Sequence, residues 1–329
     1  MAHGGGGSLT QQLIDGLFAR HFANPILAQQ HDAAALSLDH GRIAITTDSF
    51  VVQPLFFPGG DIGSLAVYGT VNDLLMAGAE PRYLTAGFIL EEGLPMETLE
   101  RIVISMAGAA AASGVTIVAG DTKTVNRGHG DGVFINTTGI GLLQHGRTSL
   151  PSRIESGDAI VLSGDLGRHG MAVMAAREQL DFSTPLFSDA ASLRAPVEAL
   201  YAAGLGLHCM RDLTRGGLAS ALNELSDTTG LGCRIDEAAI GVSAPVRGAC
   251  ELLGLDPLYV ANEGRFIAVL PAHEAAQAVA VLQTFECGQH AAVIGHVEPR
   301  AEAPVLLRNR IGTTRILDRL TGEQLPRIC

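Results

Sequence analysis

The strongest constraint on this chain is a rhythm that runs twice through its length. Short stretches of β-branched and apolar residues alternate with longer stretches of helical spacing, first before residue 150 and again after it. Such alternation predicts helices layered on sheets, an α/β (α+β) fold. In the first half, Ser8 is placed to cap a helix reaching about Phe22, and 34–38 and 42–46 read as strands. Asp61 caps a long helical pattern over 62–77, and Pro95 opens another that Gly114 stops. Residues 83–89, 115–119 and 133–140 read as strands. Pro151, Ser156 and Gly157 punctuate a boundary between two domains, 1–150 and 151–305. Strands are expected at 159–163, 266–270 and 291–297, with helices near 170–179, 193–203, 216–226, 246–253 and 273–282. A hairpin around Gly312 and a mobile tail fill 306–329.

The 329 residues suffice for two ordinary domains. A formal net charge of −12 argues against nucleic acid as a partner. No apolar run approaches a membrane span, so no membrane association is expected. The N-terminus lacks a secretion signal, and five scattered cysteines form neither a disulfide framework nor a zinc site, which points to the cytoplasm.

Four aspartates of the first half fall at expected element ends or inside a helix. Asp48 and Asp121 follow strand patterns, where α/β proteins gather ligands, and Asp32 precedes one. Asp73 lies within an otherwise apolar helix, where a carboxylate is costly unless paired or bound to a cation. Several carboxylates on separate elements suit Mg²⁺ ions around a polyphosphate. The bland reading for each alone is a cap or turn residue, and for Asp32 and Asp61 that reading is as good. Lys123 is the only lysine in the chain, two residues from Asp121. It suits phosphate neutralisation or, if desolvated, proton abstraction; an Arg-biased composition explains it equally. Glycine-rich segments occur at 3–7, 58–61, 163–170 and 214–217, and 211–217 crowds charge and glycine at a helix start. Glu263 stands in a turn, with a surface pair to Arg265 as its ordinary role. Cys329 ends the chain. The ten residues before and including it reach at most roughly 33 Å when extended, so its thiol is one on a tether.

These motifs together resemble the HypE family of hydrogenase maturation proteins, within the aminoimidazole ribonucleotide synthetase-like superfamily. The segments that carry the likeness are HGGGG, TTDSFVVQPLFFPGGDIGSLAVYGTVNDLLMAGA, AGDTKTV, SGDLGRHGMAV, RDLTRGGLASALNE, GLDPLYVANEGR, AAVIGHV and the terminal LPRIC. One departure is Leu213, where the usual glycine motif has proline. The resemblance implies a two-domain fold with a mobile tail, and a homodimer paired through the first domain. It implies ATP and Mg²⁺ as cofactors. It also implies a HypF-type carbamoyltransferase that loads the terminal thiol, ATP-dependent dehydration of that carbamoyl group to a thiocyanate, and delivery of cyanide to a HypC–HypD-type iron scaffold. By motif, Asp32, Asp48, Asp73 and Asp121 are the metal ligands. His3, Gly4, Gly5, Asp48, Asp61, Asn72, Asp73, Asp121 and Asp212 contact the nucleotide, and Cys329, Lys123 and Glu263 are catalytic. The rivals are a small-molecule kinase or synthetase of the same superfamily, and a thiol carrier that binds nucleotide without using it.

Overall fold

The computed structural model describes residues 8–13, 32–38, 41–144, 146–180, 184–319, 325 and 327–329. Its first half runs α1 (Ser8–Leu13), β1 (Ala34–Leu38), β2 (Gly41–Phe50), β3 (Phe56–Phe57), β4 (Gly60–Asp61), α2 (Ile62–Met76), β5 (Ala79–Glu91), α3 (Met96–Ser113), β6 (Thr116–Val125) and β7 (Val133–Leu143). Five of these strands form one sheet in the order β1-β2-β7-β5-β6. Only β5 and β6 are parallel within it, because α3 carries the chain over between them.

Helix α2 begins where the sequence places it. The Asp61 carboxylate accepts from the backbone of Gly63 and Ser64, and the Ser64 hydroxyl accepts from the Asp61 backbone N–H. The helix is buried almost all round, so it is the core against which one face of the sheet packs. Asp61 is thereby a helix cap. Among the described residues the other face of the sheet is uncovered, with Tyr83 and Ile89 exposed, and the edge strand β6 exposes Ile117 and Val118 as well.

The second half runs β8 (Asp158–Leu162), α4 (Arg168–Arg177), α5 (Arg194–Ala202), β9 (Cys209–Asp212), α6 (Gly217–Thr229), β10 (Leu231–Asp236), α7 (Ala244–Leu253), β11 (Phe266–Pro271), α8 (Ala275–Leu282), β12 (Ala292–Pro299), β13 (Val305–Arg308) and β14 (Thr314–Ile316). Its seven-stranded sheet has the order β14-β13-β10-β12-β8-β11-β9. The expected hairpin around Gly312 is present, but β13 pairs parallel with β10 and so extends this sheet.

The halves are fastened by polar groups as well as by a shared apolar core. Asn72 of α2 donates to the carbonyls of Ala191 and Glu263 and accepts from the Leu193 N–H. Arg194 reaches back to the Ser113 carbonyl and to Glu80. Asn72 is therefore committed to the joint between domains rather than turned toward a nucleotide. His3, Gly4 and Gly5 lie outside the described residues, as does most of the helix expected up to Phe22.

Candidate active site

The site forms where α2 and β2 of the first domain meet β9 and the start of α6 of the second. Asp32, Asp48, Asp73, Arg211, Asp212, Thr214, Arg215, Gly217 and Glu224 line a polar cavity of about 150 Å³. Gly216 and Gly217 hold φ of 76° and 58°, the left-handed region that glycine tolerates. A Cβ on Gly217 would stand 2.7 Å from the carbonyls of Leu258 and Val260. The tight turn they make aims the N-terminus of α6 into the cavity, an arrangement that favours anions.

The carboxylates here are crowded and dry. Burial, then the charges of Asp48, Asp212 and Asp32, push the Asp73 carboxyl well above the ordinary range. Burial does the same to Asp32, although Arg211 opposes it at 2.9 Å. Asp48 is raised by burial as well, and Asp212 is pushed up to about 6, again chiefly by burial. The Thr46 hydroxyl holds Asp73 at 2.8 Å. Arg211 is itself desolvated, yet Asp32 and Glu224 hold its guanidinium charged more firmly than usual. Asp32 Oδ2 is buried with no hydrogen-bond partner among the described residues. Such an oxygen is expensive to leave unsatisfied, and a divalent cation is a fitting occupant. Among the described residues no three His, Cys, Asp or Glu side chains stand in ready metal-binding geometry. Mg²⁺ commonly uses one or two carboxylates and completes its shell with water and phosphate, so the donor set fits that ion.

A second, smaller cavity opens beside the first. It shares Asp48, Asp73, Asp212, Thr214 and Arg215 with it and adds Phe50, Gly69, Glu263 and Cys329. The terminal cysteine thus sits inside the cleft. Burial and the nearby Glu263 carboxylate push its thiol well up, opposed by Arg215. Arg215 is in turn held above its ordinary value by acidic neighbours, Cys329 foremost.

Glu263 is buried, and its Oε1 lacks a hydrogen-bond partner among the described residues. Burial, Asp212 and Asp189 raise its carboxyl well above the usual range. Its surface pairing with Arg265 does not form. Arg265 is buried and bonds instead to Asp165 at 2.7 Å and to the Gly264 carbonyl. Gly264 allows the turn, since a Cβ there would fall 1.9 Å from the Asp189 carbonyl oxygen. Leu213 also contributes: its N–H donates to the Arg265 carbonyl, a bond that proline at this position could not make.

Asp121 and Lys123 are not brought to this cleft within one chain. Strand β6 runs on to Val125, so both lie inside a strand rather than at its exit. Residues directly paired across a sheet share a face. Asp121 pairs with Gly87, which pairs with Asn136, which pairs with Ser49. Asp48 is one residue out of step with that row, so it faces α2 while Asp121 and Lys123 face the uncovered side. There they pair with each other at 2.9 Å and are largely exposed.

Sequence reasoning did not single out Arg211, Arg215 or Glu224. The charge-and-glycine run 211–217 contained the signal for both arginines, but the carboxylates they face come from distant segments.

The fold and site define an AIR synthase-related protein: residues 30–143 match the N-terminal domain of AIR synthase related proteins and 155–306 the C-terminal domain. Within that class the chain belongs to the HypE family of carbamoyl dehydratases in hydrogenase maturation. It is 51% identical to the carbamoyl dehydratase HypE of Azotobacter vinelandii, over all of this chain and 96% of that one. A crystal structure of HypE in complex with ATP superposes with a TM-score of 0.85 at 50% identity, covering 98% of both chains. A HypE–HypF complex gives 0.88 at 48% identity, covering 94% of this chain and 99% of the other.

Proposed function

We propose that this cleft is an ATP-dependent carbamoyl dehydratase site whose substrate is carried on the chain's own Cys329. The observation that carries the reading is the position of Cys329, in a cavity walled by Glu263 and Arg215 and continuous with the acidic one. A carbamoylated thiol there presents its carbonyl oxygen toward the α6 N-terminus. That oxygen attacks the γ-phosphorus of ATP, and ADP leaves. The C–O bond then breaks, two protons leave nitrogen, and a nitrile remains on sulfur while phosphate carries the oxygen away. The cleft's part is positioning and charge. Glu263, dry and high in pKa, accepts a proton from nitrogen. Arg215 faces the developing phosphate charge. Asp32, Asp48 and Asp73 would hold Mg²⁺, which supplies charge neutralisation at the phosphates. The AIR synthase-related kinases use a free substrate instead; an occupied tail pocket favours the tethered one.

Asp121 and Lys123 enter this reading through a paired copy. The uncovered sheet face and the exposed edge of β6 carry apolar residues that a second chain would cover. A homodimer joined there would give the exposed Lys123 a desolvated setting. A HypF-type protein, by likeness to the complex above, is the partner that loads Cys329, and a HypC–HypD-type scaffold the acceptor of cyanide. Among the described residues no helix is long and apolar enough to cross a membrane, and a cytoplasmic setting suits five free thiols.

Mass spectrometry of carbamoyl-loaded protein tests the reading. Adding ATP and Mg²⁺ should remove the mass of one water from the C-terminal peptide. A Cys329→Ala protein that still accepts the carbamoyl group would refute it.

A further inference from the structure

The tail is held in the cleft by contacts that the chemistry above does not require. The Ile328 carbonyl lies 2.9 Å from His169 Nε2. Because a carbonyl only accepts, Nε2 carries the hydrogen. His169 Nδ1 then accepts from the Ser188 hydroxyl at 2.9 Å, while the same Ser188 oxygen accepts from the Ala190 N–H. The ring is fully buried, and its edge meets Phe57 with the ring centres 5.4 Å apart. Burial lowers its pKa, which keeps the imidazole neutral and this tautomer fixed.

One residue earlier, the Arg327 carbonyl accepts from Arg177 Nη2 at 2.7 Å and from the Gln53 N–H at 3.1 Å. Arg177 Nε also donates to the Gln53 carbonyl, so the two grips form one unit. The Arg327 side chain reaches Asp131 at 3.2 Å. Arg327 holds φ of 56°, a left-handed conformation that a non-glycine residue keeps only where its surroundings over-determine it. Ile328 is 3% exposed and packs into the core shared by both domains.

We infer that His169 and Arg177 are positioning residues that clasp Arg327 and Ile328 by their backbone carbonyls and so set where Cys329 stands in the cleft. The grip reads main-chain carbonyls and not the thiol. It therefore accepts the tail whether the thiol is free, carbamoylated or cyanated. A clasp of a few hydrogen bonds, those from Arg177 charge-assisted, and one half-exposed ion pair is still small enough to open, as delivery to a partner requires.

This inference rests on the tethered-substrate reading for its purpose but not for its test. The full-length protein is treated with iodoacetamide, and alkylation of the C-terminal peptide is followed by mass spectrometry. His169→Ala and Arg177→Met should each speed alkylation of Cys329 by roughly fivefold, the worth of about one hydrogen bond, with Arg177→Met at unchanged melting temperature. His169→Gln, which keeps a donor, should restore much of the protection. Carbamoyl-loaded His169→Ala should dehydrate more slowly by a similar factor, while loading by a carbamoyltransferase is unimpaired. Should burial make the His169→Ala protein unstable, Arg177→Met and Asp131→Asn carry the test from the cleft rim. Unchanged alkylation in folded Arg177→Met and Asp131→Asn proteins alike overturns the clasp. Protection that depends on the clasp, with no loss of water on adding ATP, leaves the clasp standing and overturns the dehydratase reading instead.

Discussion

The two faces of the N-terminal sheet hold similar acids in opposite conditions. On the covered face, Asp48 and Asp73 are packed with Asp32 and Asp212, and burial drives all four carboxyls upward. On the open face, Asp121 pairs with Lys123 in water, and hydrogen bonds from Lys123 and from the Thr122 backbone draw its carboxyl downward. The chemistry of the side chains is the same; one step of strand alternation separates them. A crowded, desolvated set of carboxylates stores repulsion that a cation relieves, whereas a solvated pair stores almost nothing.

The sharpest way to break this contrast is Asp73→Asn. Removing one charge from the covered set should cut ATP-dependent dehydration by roughly 10²–10³-fold, in the range of other losses of transition-state charge stabilisation. The ligand-free protein should at the same time melt higher, because Asp48, Asp212 and Asp32 lose a repulsive neighbour. Single-turnover mass spectrometry and calorimetry read the two effects. Activity retained with no gain in stability would mean that the covered set stores no repulsion.

Acidity gives the next largest effect. The Asp212 carboxyl sits at about 6 against an ordinary 3.8, so the folded state holds its proton more tightly than the unfolded chain does. That stability is present below the unfolded value and is lost as pH rises through about 6, roughly 3 kcal/mol in all. Urea midpoints of ligand-free protein should fall between about pH 4 and 6.5, and Mg²⁺ with ATP should flatten the slope. A midpoint that rises over that window would reverse the assignment.

Val118→Asp, on the exposed edge strand β6, should shift the protein toward a single chain in sedimentation velocity if that edge is where copies meet. The smallest effect belongs to Asp121→Asn, which should leave the melting temperature unchanged, as is usual for exposed ion pairs. A clear loss of stability there would show that the two faces are less different than their exposure implies.

Much of this was legible because it is local. Asp61 as a cap, Asp73 inside an apolar helix, and the stop at Gly114 follow from neighbouring residues alone. The side of the sheet on which Asp121 falls depends on how far β6 extends, and strand ends are poorly marked in a run of Thr and Val. The partners of Glu263 were misjudged for a different reason. A turn sequence suggests solvent, but Asp165 and Asp189 come from about a hundred and about seventy residues away to bury Arg265 and leave Glu263 dry. Arg215 was visible as a charge; its proximity to the last residue of the chain was not.

The seat of Cys329 in the cleft carries a consequence for rate laws. A reactant joined to its enzyme meets the active site at an effective concentration fixed by the tether, not by the solution. Dehydration should then be first order in loaded chain and indifferent to dilution, and each loading event yields one product. Throughput passes to the proteins that fill and empty the arm, and any free thiocarboxamide must first displace the resident tail to react.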